Sequence, residues 1–77
     1  MEKLFWIVQD IYRNPPTNTR TARHDGYTLT LQRCFSGWEV LIETEHAAVF
    51  RFSSKALRPK DAETWADGAY RSFRRTP

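Results

Sequence analysis

A chain of 77 residues makes one domain with room for one core, because a domain of this size buries only about 60% of its unfolded surface. Cys34 is the only cysteine, which excludes an internal disulfide and a multi-thiolate metal site and points to a reducing compartment. Nine arginines and three lysines against nine acidic residues leave a net charge of +3, which permits an anionic partner without demanding one.

Along residues 1–77, read as a single domain, residues 3–12 form the first element. Met1, Leu4, Phe5, Val8, Ile11 and Tyr12 fall on one helical face, but Phe, Trp, Ile and Val together favour a strand and no residue caps a helix start. Strand is the preferred reading and helix the alternative. The apolar run Leu4–Val8 is broken by Gln9 and Asp10, too soon for a signal peptide or a membrane span, so the expected location is cytoplasmic. Asn14, Pro15 and Pro16 end the element, since proline removes a donor and biases its predecessor away from the helical region.

Residues 13–26 lack apolar periodicity and read as a long, polar, basic loop with a little extended structure near its end. Arg13, Arg20 and Arg23 lie in it, and a mobile arginine loop is a candidate contact element. Residues 27–53 then alternate as three strands. Tyr27, Leu29 and Leu31 share a face, as do Trp38, Val40 and Ile42, and Ala48, Phe50 and Phe52. Turns are expected at Ser36–Gly37 and near Glu45–His46.

Pro59 suits a first helical turn, and Ala62, Trp65, Ala66, Ala69 and Phe73 recur at helical steps through residues 59–75. Asp61, Glu63 and Asp67 come early and Arg71, Arg74 and Arg75 late, which complements the helix dipole. Gly68 costs about 1 kcal/mol against alanine and is expected to let the helix backbone approach the sheet. The predicted fold is α+β: an antiparallel three- or four-stranded meander with one C-terminal α-helix packed on one face.

The chemistry-bearing residues are sparse. His24 and His46 are isolated, and a dyad of either with Cys34 needs an orienting third group and a dry pocket that so small a core leaves little room for. Glu39 and Glu43 share a strand face at a separation of about 13 Å, too far for a coupled acid–base pair. No glycine-rich phosphate loop is present, so no catalytic residue, cofactor or metal is expected. The charge is patchy: Arg51, Lys55, Arg58 and Lys60 crowd residues 51–60, whereas Glu39, Glu43 and Glu45 make residues 37–50 acidic. Trp6, in a run apolar on both sides, and Leu41, on the outer sheet face, are candidates for a partner or self-association patch, the latter giving a homodimer.

Gly37, Trp38, Val40 and Ile42, then Phe50, Phe52 and Ser53, then Ala62 through Tyr70 resemble the three-stranded-sheet DNA-binding domains of plant transcription factors and phage-type integrases. The resemblance implies a sheet that enters the major groove with a helix packed behind it. The chain departs from that pattern at Glu39 and Glu43, where a groove reader needs donors. With a helical first element the order would be similar to double-stranded-RNA-binding domains, but Lys60-Asp61-Ala62-Glu63 replaces the lysine-rich start of their second helix.

The expected function is that of a small non-catalytic protein-binding module. Its character is that of a phage- or mobile-element-type inhibitor or regulator that occupies a partner's surface through Arg13, Arg20, Arg23, Arg71, Arg74, Arg75, Trp6 and Leu41. The first alternative is nucleic-acid binding through the same arginines with Arg33 and Arg51, and the second is a structural subunit of a larger assembly.

Overall fold

The computed structural model describes residues 4–8, 19–55 and 58–75. Among these described residues five strands and one helix follow in chain order: β1 (Ile7–Val8), β2 (Arg20–His24), β3 (Tyr27–Cys34), β4 (Gly37–Glu43), β5 (Val49–Lys55) and α1 (Pro59–Arg75). The strands pair in that order as one antiparallel meander, and the helix packs on one face of it, so the α+β architecture is as read from the residues.

The three central strands match their alternation. Leu29 lies opposite Ile42 and Leu31 opposite Val40, while Ile42 faces Phe50 and Val40 faces Phe52 on the next pair. Cross-strand partners share a face, so one register collects the apolar residues on the inner side. Leu29, Leu31, Val40 and Ile42 are wholly buried there beside Trp38, each worth about 1.5–3 kcal/mol.

Residues 20–24 correct the loop reading of 13–26. They form β2, in register with β3 from Arg20 opposite Leu31 to His24 opposite Tyr27. Its inner-face positions hold Arg20, Ala22 and His24 instead of bulky apolar residues, so no apolar alternation announced it. The turn made the strand. Asp25 and Gly26 both take positive φ, 49° and 81°, the backbone of a type I′ turn that matches the twist of a two-residue hairpin. β1 then adds to β2, with Ile7 opposite Thr21 and Val8 opposite Arg20, so the strand reading of the first element holds at 7–8. Residues 9–12, Arg13 and the proline pair lie outside the described residues.

The turn between β4 and β5 is organised by Thr44. Its hydroxyl accepts from the backbone N–H of His46 at 3.3 Å and of Ala48 at 3.2 Å, and Ala47 closes it at φ 63°.

The helix starts as expected, with Pro59 in its first turn and Ala62 N–H donating to the Arg58 carbonyl at 2.9 Å. Ala62, Ala66 and Tyr70 are its buried stripe, flanked by Trp65, Ala69 and Phe73. The small residues at 62 and 66 bring the helix close to the sheet. Gly68 does not: it is exposed, and a Cβ there would meet nothing within 4 Å.

Candidate functional site

At the β2–β3 turn the sheet and the last helical turns are tied by side chains. Arg74 Nη1 donates to the Tyr70 hydroxyl at 2.6 Å and to Asp25 Oδ2 at 3.3 Å. The same hydroxyl lies 2.7 Å from His24 Nδ1 and 3.3 Å from the His24 carbonyl oxygen. The Arg74 guanidinium also sits over the rings of Tyr27, at 4.8 Å, and Tyr70, at 5.6 Å. Burial is the largest influence on the Tyr70 phenol and raises its pKa, while Arg74 opposes that shift. The hydrogen bond that Arg74 donates to Tyr70 in turn raises the pKa of Arg74. The Tyr70 hydroxyl, His24 Nδ1 and Arg74 Nη1 are thus engaged with one another, and the knot joins α1 to the β2–β3 hairpin.

Next to this knot, on the β5 side of Tyr27 and Arg74, the structure is open. β5 is the last strand of the sheet, and the helix covers it incompletely: Phe50 remains 44% and Phe52 38% exposed. Phe50 and Phe52, which alternate with the inner-face residues, are therefore only partly covered. The physical reason is width. One helix lies over the sheet, and its buried stripe of Ala62, Ala66 and Tyr70 reaches the centre but not the rim. Phe73 leans across to stack on Phe50 at a centroid distance of 4.9 Å, with Phe52 at 6.3 Å and Tyr27 at 5.9 Å. Between them runs a groove of about 580 Å³ lined by Tyr27, Phe50, Phe52, Ala69, Ser72, Phe73 and Arg74.

The residues nominated from the sequence are scattered. Arg20 is buried on the inner face over the ring of Trp38 at 5.5 Å. Its nearest acid, Glu63, is 3.9 Å away, and its Nε and Nη1 find no hydrogen-bond partner among the described residues. Arg23 is exposed on the outer face of β2. Arg71 pairs with Asp67 at 2.8 Å, Arg74 belongs to the tyrosine knot, and Arg75 is exposed at the helix end. Trp6 packs half-buried against the core, whereas Leu41 lies on the far side of the sheet in a row with Thr30 and Arg51. These two therefore do not form one patch. Among the described residues of the first element, Phe5 and Ile7 are exposed.

The outer sheet face is polar and internally paired. Gln32 Nε2 donates to Glu39 Oε1 at 2.5 Å, and Arg51 lies 3.5 Å from Glu39 Oε2. Cys34 ends β3 at the edge where the β3–β4 turn lies, while His24 and His46 stand at the opposite end of the strands. At strand rise these ends are roughly 20 Å apart, so neither histidine reaches the thiol. No group of three or more metal-ligating residues occurs among the described residues, and no described helix is long and apolar enough to cross a membrane.

The groove beside β5 was missed in the sequence because Phe50 and Phe52 alternate as core residues do. The available signal was the run Arg51, Lys55, Arg58 and Lys60, an unusual density of cations on and just after a strand whose other face is aromatic. No family model matches this chain, and neither a curated protein nor a solved structure does.

Proposed function

We propose that this protein is a non-catalytic protein-binding module, an inhibitor or regulator that acts by occupying the surface of a larger partner. The observation that carries the reading is the half-exposed aromatic pair Phe50 and Phe52 beside Phe73, along a sheet rim that no described residue covers. Isolated exposed apolar residues are ordinary, but a contiguous aromatic groove next to an open strand is a surface with unspent binding energy.

The nucleic-acid alternative loses support from the same arrangement. Arg20 is buried and Arg71 and Arg74 are engaged internally. The outer sheet face carries Glu39 and Glu43 where phosphates would lie.

Affinity capture on the tagged protein, with and without nuclease, followed by mass spectrometry tests the reading. A protein target is expected to survive nuclease and to be lost when Phe50 and Phe52 are both replaced by serine in a chain that still folds. Capture that vanishes with nuclease, or that ignores the double substitution, contradicts it.

A further inference from the structure

We infer that the free edge of β5 takes up an extended segment of another protein as a sixth strand, and that this segment alternates acidic and large apolar residues. The inference rests on the protein-binding reading and adds the mode of contact and the chemistry of the partner.

The backbone supplies the first part of the argument. In a two-residue type I′ hairpin the flanking residues are a hydrogen-bonded pair, here His24 and Tyr27. Antiparallel pairs alternate, so Thr28 bonds to β4 and Ile42 bonds to Phe50 of β5. Phe50, Phe52 and Ser54 therefore spend their peptide groups on β4. Val49, Arg51, Ser53 and Lys55 turn theirs outward, toward an edge that pairs with no further strand among the described residues.

The side chains select the occupant. A strand added at the usual spacing of about 4.8 Å places alternate side chains beside Phe50 and Phe52, in the groove under Phe73. Those positions call for large apolar residues. The intervening side chains emerge on the outer face beside Arg51 and Lys55, on a strand that carries no acid of its own, with Arg51 also 3.5 Å from Glu39 of β4. Those positions call for carboxylates. The same cations oppose pairing of β5 with its own copy, a common defence of sheet edges. A nucleic acid would satisfy the cations but has neither a peptide ladder for the edge nor apolar side chains for the groove. Only an acidic–apolar polypeptide strand meets all three features together.

The test uses a fluorescent peptide of alternating glutamate and leucine, titrated by anisotropy against the full chain. Binding is expected, weakening as salt rises. Ser53→Pro removes an outward N–H on an edge strand, where proline is tolerated, so folding persists by circular dichroism while affinity drops at least about tenfold. Arg51→Glu, which leaves the backbone untouched, should weaken the glutamate peptide and favour its lysine–leucine counterpart.

The inference is overturned if a block-ordered peptide of the same composition binds equally well, if both variants bind like the parent, or if a single-stranded oligonucleotide displaces the peptide. It is overturned too if sedimentation shows a dimer of the parent chain that Ser53→Pro dissolves. Should the peptide fail while capture dependent on Phe50 and Phe52 persists, strand addition is wrong and the protein-binding reading stands. Loss of both removes both.

Discussion

The two flanks of this molecule handle their aromatic residues in opposite ways. Near the β2–β3 turn, Tyr70 is buried and its hydroxyl is held by Arg74 and His24, so ring and polar tip are both satisfied within the fold. Along β5, Phe50, Phe52 and Phe73 stack on one another but leave a groove open to solvent. The difference teaches that closed and open aromatic packing lie side by side, with Tyr27 and Arg74 between them. One side of the helix closes the structure, and the other leaves apolar area that folding has not used.

The contrast is sharpest in a core substitution. Leu31→Ala removes a wholly buried side chain at the centre of the sheet and is expected to cost about 2–5 kcal/mol in urea unfolding. A loss below about 1 kcal/mol would show that the centre is as loosely packed as the rim.

Tyr70→Phe comes next, at about 1–3 kcal/mol, because it strands the His24 and Arg74 groups that the hydroxyl now joins. It carries a pH signature. Burial makes the folded state hold the phenolic proton more tightly than the unfolded chain does. The stability this contributes is therefore present below the ordinary value of 10.0 and is lost as pH rises through the higher folded value. Alkaline unfolding should begin at higher pH in the phenylalanine variant. An unchanged alkaline limb would mean that Tyr70 does not titrate with unfolding.

Phe52→Ala probes the open flank. With over a third of its surface still exposed, its truncation should cost only about 1 kcal/mol, well short of Leu31→Ala. A cost equal to that of Leu31 in chemical denaturation would erase the distinction between the flanks.

The smallest effect is a gain. Gly68 sits in an exposed helix interior with open space around its missing Cβ, so Gly68→Ala should stabilise by about 0.5–1 kcal/mol and raise the melting temperature. A fall in melting temperature would reveal a close neighbour at that position.

Legibility in the sequence followed side-chain periodicity. Leu29, Leu31, Val40 and Ile42 announced their face by alternation, and Ala62, Ala66 and Phe73 announced the helix by three- and four-residue steps. β2 was hidden because its inward positions are Arg20, Ala22 and His24, which no hydrophobic pattern reveals; only the Asp25–Gly26 pair hinted that the chain folds back there. Gly68 misled because a glycine's role depends on its surroundings. The arginines misled for the same reason, since a cation in sequence carries no record of whether an acid, a ring or solvent awaits it. Arg20, Arg71 and Arg74 each met an internal neighbour.

The amino-acid order alone determined the three later strands and the helix, and which of their residues share a face, since these follow from local periods of two and 3.6 residues. Tertiary structure alone decided how far the helix reaches across the sheet, and so which apolar residues remain uncovered. That outcome depends on the relative widths of two packed layers, a quantity no local pattern contains. Phe52 and Val40 alternate identically along their strands and face each other across the ladder, yet one is at the rim and the other is sealed beneath the helix.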